Sequence, residues 1–179
     1  EILHSPFKVP ICDPTVVELS GSGLQYAVLG GDNTIDVCTR DSGPGELECA
    51  FVGDAGTPPI EAAITKLDET HCQIHYTPHA VGTYKATFKY GGHAVGMGAN
   101  VSCCDPTKCK IEGLPAESLI VHHPFDFTID SQEAGEGLLE VSVAMEKGAE
   151  VPHKIIRQLP HRNKVTFTPV VPGMCFIQV

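Results

Sequence analysis

The stretch Cys12-Asp13-Pro14-Thr15 recurs as Cys104-Asp105-Pro106-Thr107, 92 residues further on. Other landmarks keep nearly the same interval. Gly43-Pro44-Gly45-Glu46-Leu47-Glu48 returns as Gly135-Glu136-Gly137-Leu138-Leu139-Glu140. Tyr76-Thr77-Pro78 returns as Phe167-Thr168-Pro169, and Val81-Gly82 as Pro172-Gly173, at an offset of 91. A period of this size is too long for a solenoid unit. It fits a tandem of whole domains, each near the roughly 100 residues of a small β-sandwich.

Working outward from the repeat, period-two alternation predicts strands. Ile35 and Val37 alternate with Asp36 and Cys38, and Leu47, Cys49 and Phe51 with Glu48 and Ala50. Cys72, Ile74 and Tyr76 alternate with Gln73 and His75, and Tyr84, Ala86 and Phe88 with Lys85, Thr87 and Lys89. Such alternation buries one face and wets the other. Gly43-Pro44-Gly45, Gly53-Asp54-Ala55-Gly56 and Gly91-Gly92 supply turns. In the second unit the corresponding positions are Phe125, Phe127 and Ile129, then Leu139, Val141 and Val143, then Val165 and Phe167, then Cys175, Ile177 and Val179. No long helical period is present, which makes the chain all-β: two tandem β-sandwiches, the second lacking its last strand.

The spacing sets expected boundaries. Residues 1–11 correspond to the last strand of a preceding repeat, 12–103 to a whole repeat, and 104–179 to a repeat incomplete at its C-terminus. The opening reads as a cut inside a longer protein. With 22 acidic against 12 basic residues the net charge is −10, which disfavours nucleic acid as a partner. No run of eighteen apolar residues is present to span a membrane.

The ordered set of motifs resembles the filamin repeat, the immunoglobulin-like domain of actin cross-linking proteins. Carrying the resemblance are Ser5-Pro6-Phe7, Gly21-Ser22-Gly23-Leu24, the Ser42–Leu47 turn, and Tyr76-x-Pro78 with Gly82-x-Tyr84, leading into a strand that ends Tyr90-Gly91-Gly92. Met97-Gly98-Ala99 departs from it where Ser-Pro-Phe is expected, as do Gly113-Leu114 alone in the second unit and Cys175 in place of tyrosine. The resemblance implies a non-enzymatic, cytoplasmic scaffold of the cytoskeleton. Cytoplasmic tails of membrane receptors or signalling adaptors are its implied partners, and actin is reached through other parts of the parent chain. A peptide is expected to add to the third-strand edge, above a groove shared with the fourth. The matching stretches are Leu47–Val52 with Ile60–Ile64 and Leu139–Ala144 with His153–Ile156. Candidate contacts are Leu47, Glu48, Cys49, Ala50 and Phe51 with Ile60, Ala62 and Ile64, and Leu139, Glu140, Ser142 and Ala144 with Ile155. Ala50 and Ser142 are small enough for a close ligand, while Glu48 and Glu140 either favour a basic ligand or guard the edge.

The segment Ile2–Val9 places Leu3, Ser5, Phe7 and Val9 on one face. It is expected to complete a sheet, filling the vacant place in the second repeat or an exposed edge, and so to permit self-association. The short connector Val101–Thr107, stiffened by Pro106, is expected to allow a limited contact between repeats that opens under tension.

No cofactor or metal is expected. Cys103, Cys104 and Cys109 lack the second ligand pair that zinc requires, and the antibody-type disulfide is missing from both units, which favours a reducing compartment. His71 and His75 share an outward parity and read as solvated edge histidines, and His122-His123-Pro124 as the turn before a strand. No Ser/Cys–His pair or phosphate-cradling loop points to catalysis. The rival reading is an extracellular adhesion or recognition sandwich, which a count of free thiols distinguishes. A filamin-type repeat appended to a ligase or an RNA-regulating protein is a third.

Overall fold

The computed structural model describes residues 8–54, 57–115, 117–146 and 148–179. The chain divides into two compact units between Cys104 and Asp105. Their described residues form strands, turns and isolated turns of 3-10 helix.

The first unit contains β1 (Glu18–Ser20), β2 (Tyr26–Val28), β3 (Asn33–Cys38), β4 (Leu47–Gly53), β5 (Ala62–Lys66), β6 (His71–Tyr76), β7 (Gly82–Tyr90), β8 (His93–Ala94) and β9 (Ala99–Cys104). One sheet has the order β1-β3-β6-β5; the other runs β2-β9-β7-β4, with β8 folded back on β7. All pairings are antiparallel except β2 with β9. Ile35, Val37, Ile74 and Tyr76 of the first sheet belong to the same buried core as Phe51, Tyr84, Phe88 and Val101 of the second. Burying each such aliphatic side chain contributes about 1.5–3 kcal/mol. The Phe51 and Tyr76 rings stack at 4.4 Å between centroids, and Phe88 meets Phe51 edge-on at 6.3 Å.

The second unit contains β10 (Lys110–Glu112), β11 (Phe125–Asp130), β12 (Ser142–Met145), β13 (His153–Leu159), β14 (Arg162–Phe167) and β15 (Cys175–Gln178). Its sheets are β10-β11-β14-β13 and β12-β15. Phe127, Ile129, Val143, Met145, Val151, Val165 and Phe167 form its core.

The repeated tetrapeptide has one local structure in both places. The Asp13 carboxylate accepts from the Thr15 N–H at 2.9 Å and hydroxyl at 2.5 Å; Asp105 does the same with Thr107 at 3.1 and 2.6 Å. Those bonds hold both aspartates below the usual carboxylate range, the Thr hydroxyl contributing most. The proline fixes the first residue of a 3-10 turn, where no N–H is needed. The Asp13 N–H donates to the Ser42 carbonyl and the Asp105 N–H to that of Ala134, each at 2.7 Å, so the motif anchors the loop after β3 in the first unit and after β11 in the second. Ser42 is buried and donates its hydroxyl to the Thr39 carbonyl at 2.7 Å.

Several expected boundaries move. The fourth strand is Ala62–Lys66 rather than Ile60–Ile64, because Ile60 crosses to bridge Phe51 of the other sheet. Its counterpart β13 runs on to Leu159, with an irregularity between Arg157 and Leu159. β12 begins only at Ser142: Leu139–Val141 have no strand opposite them, since pairing with β15 starts at Ser142 facing Gln178. Val101–Cys104 is not connector but the end of β9, with Val101 and Cys103 buried in the first core. β6 is interior to its sheet, so His71 and His75 are not edge residues. His122 does sit in a turn, at φ 63°.

Candidate functional site

β4 is the last strand of its sheet, and among the described residues only the Phe51–Ile60 bridge touches its outer edge. The Phe51 carbonyl accepts from the Ile60 N–H at 3.3 Å. In an antiparallel strand alternate residues turn their N–H and C=O groups to the same side. Leu47 and Cys49 therefore present theirs along the edge that Ile60 closes further on. The frontage available to an incoming strand is Leu47–Cys49.

The side chains around that frontage divide by parity. Glu48, Ala50 and Val52 are exposed on the outer face of β4. Leu47 and Cys49 are half-buried; burial pushes the Cys49 thiol up, keeping it protonated. Phe51 at 1% and Ile60 at 7% exposure belong to the core, so neither side chain offers a contact surface. Across the gap between the sheets lies β5, where Ala62 is half-buried. Ile64 faces buried Ile74 in register yet is 40% exposed, because the sandwich is open at that edge.

The second unit repeats the arrangement. The Val143 carbonyl accepts from the Val151 N–H at 2.8 Å, taking the part of Phe51 and Ile60. Glu140 and Ser142 are exposed, and Leu139 and Ala144 half-buried. Ile155, opposite buried Val165, is 42% exposed. An open hollow of about 530 Å³ here is lined by Val141, Ser142, Glu150, Val151, Pro152 and His153.

The sequence reading took Val52 and Ile156 only as ends of the matching stretches and missed Leu67 and Leu159; all four are more than half exposed beside the same edges. Large aliphatic residues at the outward parity of an edge strand were the available signal. Leu3, Ser5 and Phe7 lie outside the described residues. Val9 is in no strand and 77% exposed. No group of three or more His, Cys, Asp or Glu side chains among the described residues is placed to hold a metal. No helix among them is long and apolar enough to cross a membrane.

Comparison with known proteins follows the same division. The Filamin/ABP280 repeat family matches residues 11–97 and 103–179. Filamin-C of Rattus norvegicus is 30% identical over 179 residues, covering 94% of this chain and 6% of that protein. Filamin-A of Drosophila melanogaster is 33% identical over 99 residues, covering 52% of this chain and 4% of that protein. The chain thus spans only a small part of the relatives it matches. Among solved structures, the Lin-41 filamin domain aligns with a TM-score of 0.46 and 16% identity, over 51% of this chain and 95% of that domain. Two matched segments covering most of both units show that the chain belongs to the filamin repeat family.

Proposed function

We propose that this chain is a non-enzymatic scaffold segment of a cytoplasmic, actin cross-linking cytoskeletal protein that docks partner peptides by strand addition at β4 and at the equivalent edge before β12. The observation that carries the reading is the open Leu47–Cys49 frontage beside the exposed Ile64. Backbone bonds to Leu47 and Cys49 give affinity there, and the aliphatic side chain across the gap gives selectivity. Partners of this chemistry are extended tails of membrane receptors or signalling adaptors. Actin is reached through other parts of the parent chain. Tension belongs to the same proposal: pulling on the ends changes access to the frontage, and peptide affinity measured with and without applied force tests it.

The direct test is titration with integrin-type receptor-tail peptides. Ala50→Asp places a charge on the outer face of β4, and Ser142→Asp does so at β12. Each is expected to weaken binding to its own unit about tenfold or more, since a charge desolvated by the ligand costs more than about 1.4 kcal/mol. Binding that survives both substitutions overturns the proposal.

A further inference from the structure

The outer face of the β1-β3-β6-β5 sheet turns away from the groove and differs in charge from its counterpart in the second unit. In that second unit the register lines up Lys110, Asp130 and Arg162, then Glu112, Thr128 and Lys164, then Asp126, Thr166 and Lys154. Two of its three carboxylates, Asp126 and Glu112, have a cation partner within the chain. Lys164 pairs with Asp126 at 2.6 Å, Lys110 with Glu133 at 3.0 Å, and Arg162 with Glu112. In the first unit the positions equivalent to Arg162, Lys164 and Lys154 hold His71, Gln73 and Ala63. Residues 1–104 carry 12 acidic and 5 basic side chains, against 10 and 7 in residues 105–179. At these register positions the first face holds the carboxylates of Glu18 and Asp36 and no Lys or Arg.

At one end of that face is an open hollow of about 450 Å³, lined by Asp32, Pro59, Glu61, Ala63, His75 and His79 and containing no Lys or Arg. The His75 ring nitrogen Nδ1 lies 3.1 Å from the Asp32 carboxylate. An ionised carboxylate only accepts, so Nδ1 carries the proton in this contact. Asp32 and Glu61 supply carboxylate acceptors, while Pro59 and Ala63 supply apolar surface for an aliphatic stem. Pairing an anionic concavity with a cation of complementary shape is what steers and orients a partner.

We propose that this hollow seats an arginine or lysine side chain of a basic protein segment lying across the outer face of β5 and β6. The site is separate from the β4 groove and uses the other parity of β5.

The test uses the whole 179-residue chain and an end-blocked peptide alternating arginine and serine, with a glutamate-for-arginine peptide as control. Amide shift changes are expected to concentrate on residues 32, 61–65 and 73–79, with binding that weakens as salt rises. The double variant Asp32→Asn, Glu61→Gln is expected to bind about tenfold more weakly, as loss of two exposed ion pairs allows. A second variant, Ala63→Lys with His71→Arg and Gln73→Lys, writes the other repeat's cations into this face and is expected to abolish binding. Ala50→Asp, on the other sheet, is expected to leave it unchanged. Shift changes spread evenly over both units, unaltered affinity in either face variant, or loss on Ala50→Asp would each overturn the proposal. None of these results depends on whether receptor-tail peptides bind at β4.

Discussion

At equivalent places the first repeat carries Tyr76 and Tyr84 where the second carries Phe167 and Cys175. The Tyr76 hydroxyl donates to the Gly23 carbonyl, that of Tyr84 to Ala80 at 2.9 Å, and that of Tyr90 to Gly43 at 2.7 Å. Each ties a strand to a loop from inside the sandwich. Burial pushes the Tyr76 and Tyr84 hydroxyls up, with the Cys103 thiol adding to the effect, so both stay protonated and keep donating. In the second repeat Phe167 fills the core with a ring alone, packing edge-on against Phe125 at 5.6 Å and Phe127 at 6.4 Å. Its cross-strand ties lie outside, as ion pairs. One scaffold is thus secured by buried hydrogen bonds in one copy and by exposed charges in the other, and the two kinds of tie respond differently to salt, acid and truncation.

The largest expected effect separates the two cores. Phe51→Ala removes a ring stacked on Tyr76 and is expected to cost the first unit about 3–5 kcal/mol. Val143→Ala, at the equivalent position in the second core, is expected to cost about 1.5–3 kcal/mol there. Urea unfolding followed amide by amide distinguishes the units. If both transitions move together for either variant, the units do not have separate cores and the comparison fails.

Next come the buried ties. Tyr76→Phe makes the first repeat like the second at this point and leaves the Gly23 carbonyl without its donor, an expected loss of about 1–3 kcal/mol. Gly23 itself is constrained: a methyl group there would sit 2.4 Å from the Thr34 carbonyl oxygen. Gly23→Ala is therefore expected to cost about 1–3 kcal/mol as well, by forcing β3 aside. An unchanged midpoint for Tyr76→Phe would mean the inner tie is not what distinguishes the repeats.

These contrasts also show what a linear reading can reach. The strands around Ile35 and Val37, Cys72–Tyr76 and Tyr84–Tyr90 were legible because one face of each is buried, and burial writes itself as alternation. The duplicated Cys-Asp-Pro-Thr was legible because its hydrogen bonds are local. β5 was shifted by two residues because Ile60, Ala62 and Ile64 alternate without a break. Nothing in that alternation says that Ile60 leaves one sheet to bridge the other. Leu139–Val141 alternates like a strand, but alternation does not supply a partner. For the same reason Phe51 and Ile60 were read as groove residues and are core. The Asp32–His75 contact joins residues 43 apart in sequence and depends on a register that neither residue specifies alone.

Acid sharpens the comparison at the β5–β6 hairpin, where Asp68 stands at the position that Leu159 takes in the second repeat. Asp68 accepts from the Thr70 N–H at 2.7 Å and from the His71 N–H at 2.8 Å and ring at 2.9 Å. The Thr70 bond above all holds its pKa at about 2, down from 3.8. A depressed carboxylate contributes stability that is present above the unfolded value and lost as pH falls through the folded one. The first unit is therefore expected to lose this contribution between about pH 4 and pH 2, and Asp68→Asn to flatten its midpoint over that window. The second unit's acid dependence, set by Asp105 and Asp126, is expected to be unaffected by that substitution.

The smallest effect concerns the outer faces. Lys164→Gln gives the second repeat the residue that the first holds at Gln73 and removes the 2.6 Å pair with Asp126. Asp126 is exposed and Lys164 half-exposed, and Asp126 keeps its 2.6 Å bond from the Thr166 hydroxyl, so the carboxylate is not stranded. The second unit's midpoint is expected to fall by about 2 °C or less at low salt. At about 1 M salt the difference is expected to vanish, because charges this exposed are screened within about 3 Å. The converse, Gln73→Lys, replaces the neutral donor to Asp36 at 2.8 Å with a charged one and is expected to change how the first unit's midpoint depends on salt. A Lys164→Gln deficit that persists in salt would mean that the lysine acts through packing of its stem rather than through charge. The contrast between inner and outer ties would then reduce to a contrast between two ways of covering the same sheet.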